Sequence, residues 1–153
     1  MATSSMAGTS PVRIALIGFI AAAIAILIFH QGGFWTVAQA LGSRTTAWSM
    51  IPTKPLGVPL LLSNMFWGGL WGVAGAFLIA KLPAPWRGML GWIVFFATVP
   101  VLVSWFVAAP LKGQPLGNGF RMPIVFLVPV VYAFWGFGTW LIADQLNKLL
   151  PKS

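Results

Sequence analysis

His30 is the only side chain in this sequence able to change charge near neutral pH, and it stands at the end of a long apolar run, residues 14–29. Three other polar groups are spaced to meet it: Asn64, Ser104 and Tyr132. His30 follows Arg13 by 17 residues, and Ser104 follows Arg87 by the same 17. At 1.5 Å per helical residue, both lie about 25 Å from a basic anchor. Asn64 (beside Ser63) lies one to two turns into the next apolar segment from the same outer surface, and Tyr132 two to three turns into the last one. A cluster of these four in the outer half of a membrane bundle has two uses. It ties helices together, at about 0.6–2 kcal/mol per interhelical hydrogen bond, or it holds a small molecule or ion.

The residues that are missing narrow the chemistry. The chain has no Cys, so it has neither a thiol nucleophile nor a thiolate metal site. Its one acid, Asp144, stands near the end of the last apolar segment, far from the depth of His30. A Ser-His-acid set therefore cannot form, one His cannot ligate a haem from both sides, and no His/Asp/Glu cluster offers a catalytic metal site. Proton-coupled carriers rely on an acid within the membrane. The expectation is a protein that is not an enzyme and has no catalytic residue, metal or cofactor.

The elements that must position the four polar groups are visible in the charge pattern. Residues 14–43, 55–80, 88–111 and 122–143 contain no charged side chain, and all ten formal charges fall between or outside them. A spanning helix needs roughly 20 mostly apolar residues to cross about 30 Å of hydrocarbon. Charged residues are 7% of the chain, against about 25% in a soluble domain. The sequence predicts one all-α membrane domain over 1–153, a bundle of four transmembrane helices at about 12–30, 57–80, 86–109 and 123–147. Segment 31–56 reads as an interfacial or partly re-entrant loop, because the Gly32-Gly33 pair is a natural break point, and Trp35 and Trp48 suit an interfacial belt. Arg13 before an apolar run suggests a signal peptide, but the run is long and the nearest small-x-small site, Ala38-Gln39-Ala40, lies well downstream; it reads as a retained anchor. Pro100 and Pro129 fall inside the third and fourth helices and mark expected kinks.

The two halves echo each other. Pro55-Leu56-Gly57 precedes the second helix, and Pro115-Leu116-Gly117 precedes the fourth. Phe66-Trp67-Gly68 matches Phe134-Trp135-Gly136 in one register; Pro59 with Trp71-Gly72 matches Pro123 with Trp135-Gly136 in another, one turn away. Arg13-x-x-Leu16 and Arg87-x-x-Leu90 open the first and third helices alike. The pattern suggests two helical hairpins related as a parallel repeat. The second helix also carries Gly68, Gly72, Ala76 and Ala80 at four-residue steps. Such a stripe lets another helix approach closely, whether the fourth helix or a second copy of the chain.

The net charge of +8 comes from nine cations against one acid. These cations are scattered over loops and helix ends, not gathered on one face as nucleic-acid binding would require; anionic lipid head groups are the expected partner. Arg13, Lys81, Arg87, Lys148 and Lys152 fall on one side, and Arg44, Lys54, Lys112 and Arg121 on the other. Five against four leans toward both termini being cytoplasmic in an inner (plasma) membrane.

The run Arg13-Ile-Ala-Leu-Ile-Gly18, followed by Phe29-His30-Gln31-Gly32, resembles the opening of the DoxX-like four-helix membrane proteins. Length and helix count are similar too. The likeness covers the first helix, and the acidic residue of that family's second helix is absent here. More broadly, the chain looks like uncharacterised four-helix bacterial inner-membrane proteins with a Phe-His-Gln turn and a Phe-Trp-Gly run. These resemblances imply a membrane bundle and no mechanism. Two functions stand as expectations: an accessory or assembly subunit of a larger membrane complex or homo-oligomer, or a small transporter or lipid/quinone-binding protein that uses the polar cluster around His30.

Overall fold

A computed structural model describes residues 10–44 and 46–150. Among these residues four helices are long and apolar enough to cross a membrane: α1 (Pro11–Ala40), α2 (Leu60–Ile79), α3 (Met89–Leu111) and α4 (Ile124–Leu149). The chain is an all-α four-helix bundle and, by the length and composition of its helices, a multi-pass membrane protein. α1 begins where the sequence signals it. The Ser10 hydroxyl accepts a hydrogen bond from the Arg13 N–H at 3.3 Å, and Pro11 takes the first turn, where its missing N–H costs nothing.

α1 does not end at His30. It runs through Gly32-Gly33 to Ala40, and the loop shrinks to the residues between Ala40 and Leu60. A glycine pair breaks a helix in water because the freed backbone groups are hydrated. In lipid an unpaired N–H costs several kcal/mol, so the helical bonds persist. Gly33 lies against the Val131 side chain, and the Thr36 hydroxyl donates to the Gly32 carbonyl at 2.9 Å. Thirty helical residues extend about 45 Å, more than the hydrocarbon needs, so α1 overshoots the apolar layer. The loop after α1 is ordered by main-chain bonds: Thr53 donates to Val58 at 2.8 Å, Leu60 to Ile51 at 3.0 Å, and Leu61 to Ser49 at 2.9 Å.

Two π-helical segments interrupt the spans, Ile26–His30 in α1 and Ser104–Ala108 in α3. Each adds a residue to a turn and rotates the rest of its helix about the axis. Both α3 and α4 remain helical through Pro100 and Pro129.

The most extensive contacts are α1 with α2 and α3 with α4; α1 also packs along α4, while α2 and α3 touch little. The two hairpins close in the same manner. Gly72 of α2 lies over the Gly18 backbone, where an added Cβ would stand 2.1 Å from the Gly18 carbonyl oxygen. Gly136 of α4 lies over the Trp92 carbonyl, with the corresponding distance 2.5 Å. Gly18 and Trp92 hold the same place after Arg13 and Arg87. The register that pairs Trp71-Gly72 with Trp135-Gly136 is therefore the one in which the hairpins are packed alike.

The core lies where the four helices converge. Trp135 sits at its centre, 4.2 Å from Phe96 between ring centroids, and its indole N–H donates to the Ala22 carbonyl at 3.0 Å. Outward faces carry large apolar side chains such as Leu16, Phe66, Trp67, Phe126 and Phe134, as a lipid-facing surface requires.

The described chain starts and finishes at one end of the bundle. Arg13 Nη2 donates to the Leu150 carbonyl at 3.0 Å. Cysteines introduced at Ser10 and Leu150 should therefore be labelled from the same side of sealed vesicles by an impermeant thiol reagent. The protein has no native Cys to confuse the readout. Labelling from opposite sides would contradict the topology.

Candidate functional site

The expected helix-packing stripe packs mainly against a helix that was not foreseen, α1, and meets the fourth helix only at Gly68. Gly68, Gly72 and Ala76 are buried, and they face α1 of the same chain, not α4 alone or a second copy. A Cβ on Gly72 would meet Gly18 and Ala22; one on Gly68 would meet the Ile26 side chain and the Trp135 ring. Gly18 is the reciprocal half of this contact, since its own added Cβ would stand 2.7 Å from the Gly72 carbonyl oxygen and 3.1 Å from Ala76 Cβ. Ala80 caps the helix end and is only half-buried.

The antiparallel register of this contact pairs Gly72 with Ala22 and Gly68 with Ile26. Carried one turn further, it sets Asn64 at the level of His30. Asn64 is half-buried there, and no contact among the described residues joins its amide to the other three polar groups. The remaining three do come together. The His30 ring stands edge-on to Tyr132 at 5.1 Å and to Trp135 at 5.7 Å, and Tyr132 and Trp135 lie 5.5 Å apart. Ser104 lies near the Tyr132 hydroxyl. Through Tyr132, His30 and Ser104 occupy one level, as their shared 17-residue offset requires.

His30 faces the bundle, as expected, but it does not hydrogen-bond to another helix. Its Nδ1 is buried without a partner, the one such side-chain atom among the described residues. The rings around it fill space and offer no acceptor or donor in reach. Leaving a buried polar atom unmet costs about 1–3 kcal/mol, and in hydrocarbon no bulk water relieves it.

No protein-family model, curated protein or solved structure matches the chain.

Two further residues complete the site, and sequence reasoning gave them no role in it. Gln31, next to His30, is buried, and its Oε1 accepts the Trp48 backbone N–H at 3.0 Å. The Trp48 indole N–H donates to the Leu27 carbonyl at 2.8 Å. That carbonyl is reachable because of the π-helical segment: the Gln31 N–H bonds to the Ile26 and Ile28 carbonyls and passes over Leu27. Trp48 sits in the left-handed region, at φ 53°, an uncommon conformation for a bulky residue. Two hydrogen bonds to α1 thus hold the loop over the turn that carries His30. The available signal was Gln31 itself, a glutamine inside an uncharged stretch; the π-helical turn has no sequence mark.

The arrangement contains a hydrogen-bonding nitrogen without a partner, a tyrosine beside a serine, an amide at the same level and aromatic walls. Its open chemistry is a single unmet hydrogen bond in an apolar surround. Nothing in it supplies an acid–base pair or an activated nucleophile.

Proposed function

We propose that this protein is a non-enzymatic integral membrane protein that binds a small lipid-soluble molecule in the half of the bundle away from its termini. The class is one with a hydroxyl or carbonyl head on an apolar body, such as a quinone or a polar lipid. The observation that carries this reading is the buried, unpartnered His30 Nδ1 between Tyr132 and Trp135. A neutral imidazole nitrogen either donates to a carbonyl or accepts from a hydroxyl. The aromatic rings would contact the apolar body, and Asn64 stands at the same level.

The other reading, an accessory or assembly subunit, drew support from the small-residue stripe. That stripe is occupied by α1 of the same chain, so it leaves no close-approach groove for a partner helix. The reading keeps the outward aromatic faces, which lipid explains equally well. The DoxX-like likeness of the first helix is compatible with either reading and favours neither. We place the protein in a bacterial inner membrane with both termini cytoplasmic, on the five-to-four cation bias.

Isolation in mild detergent, with mass measurement of whatever accompanies the protein, separates the two. Ligand binding predicts a co-purifying small molecule and no stoichiometric protein. A stoichiometric protein partner with no small molecule would favour the accessory role.

A further inference from the structure

A second feature lies at the opposite end of the bundle, far from His30. The two hairpins are closed within themselves, and α2 and α3 touch little. An open crevice of about 350 Å³ remains between the last turn of α2 and the first turns of α3. Leu78, Ile79, Leu82, Trp86, Val94 and Phe95 line it. Its walls are almost wholly apolar, so water gains few partners there although the volume is roughly that of ten waters. The turn above it is held down by a close approach. Gly91 lies under the Trp86 carbonyl, and a Cβ there would stand 1.8 Å from that oxygen.

The mouth of this crevice is basic. Lys81 belongs to its lining, is exposed, and forms no ion pair among the described residues. Arg87 lies at the same turn, its Nε donating to the Leu82 carbonyl, which leaves the terminal nitrogens of the guanidinium as further donors. The one acid at this end, Asp144, is already paired with Lys148. The first turn of α3 begins at Gly88 with no side-chain cap, so its N–H groups add positive potential. An apolar slot below a cationic rim, at the depth where acyl chains meet head groups, is complementary to one kind of occupant.

We propose that this crevice binds an anionic phospholipid, with one acyl chain against Leu78, Val94 and Phe95 and the phosphate at Lys81 and Arg87. A cation near an anionic surface contributes about 1 kcal/mol, so each of the two should favour an anionic over a zwitterionic head group by about fivefold.

The test measures lipid affinity of the full chain in detergent, by thermal unfolding against added phosphatidylglycerol, phosphatidylcholine or inorganic phosphate. Phosphatidylglycerol should bind at least about fivefold tighter than phosphatidylcholine, and phosphate alone should do nothing. Lys81→Ala should lower the preference by about fivefold. Lys112→Ala, on the far surface, should leave it unchanged, and Val94→Trp should fill the slot and weaken both lipids. Equal affinity for the two lipids, or a preference left undiminished by Lys81→Ala, would overturn the proposal. An equal effect of free phosphate would also do so, by showing a plain anion site. Should Val94→Trp fail to fold, Lys81→Ala alone decides.

Discussion

Gly72→Leu should abolish the native fold or lower its stability by at least about 3 kcal/mol, the upper end of overpacking costs. The reason is backbone, not side chain. A Cβ at position 72 would stand 2.1 Å from the Gly18 carbonyl oxygen and 2.4 Å from Ala22 Cβ, and neither can swing away. α1 and α2 would separate along their whole contact, the closest in the first hairpin. Gly68→Ala should cost less, since it meets side chains, Ile26 and the edge of the Trp135 ring, and no backbone. Gly32→Ala is the matched control. Nothing lies within 4 Å of the added carbon, and alanine favours a helix over glycine by up to about 1 kcal/mol. Thermal unfolding in detergent reads all three. Because the partner of Gly72 is α1 of the same chain, the melting point should fall without a change in oligomeric mass. An unchanged melting point for Gly72→Leu would show that the first hairpin is not packed through this glycine.

Trp135→Ala should be the most damaging substitution of a side chain. The indole contacts Phe96, Tyr132 and His30 and bonds to α1 through Ala22. Its removal opens a large cavity at the meeting point of the four helices, for which losses of about 3–5 kcal/mol are usual. Trp135→Phe keeps most of the packing and loses the indole hydrogen bond, so it should cost about 1 kcal/mol. The Ala22 carbonyl would still accept from the Ile26 N–H. A melting series across wild type, Phe and Ala separates the two contributions. Equal losses for Phe and Ala would mean that the hydrogen bond, not ring packing, dominates.

The four spans were legible because lipid imposes one rule, a long uncharged run, and little else satisfies it. The depth match of His30 and Ser104 was legible for a related reason: an α-helix is a ruler, and both residues were measured from a basic anchor. The continuation of α1 was not legible, because Gly32-Gly33 carries the break signal of soluble proteins, and the membrane overrides it. The stripe on α2 announced a close contact but could not name α1 as partner. Gly18 is a single glycine in an apolar run, and its role depends on how the hairpin closes. The π-helical turns carry no sequence mark, so their consequences were hidden as well: the exposed Leu27 carbonyl and the Trp48 clamp. The expected hydrogen bond from His30 to another helix fails for a geometric reason, since Tyr132 and Trp135 present their rings to it.

The central claim is that His30 holds a small lipid-soluble molecule. The most direct measurement is the intact mass of the protein released from mild detergent, wild type beside His30→Leu. Wild type should carry a discrete added mass of small-molecule size. His30→Leu should lack it, and it should melt at the same temperature as stripped wild type or higher, because a buried polar atom without a partner has been removed. A wild-type mass with no addition, or the same addition on both proteins, would contradict the account.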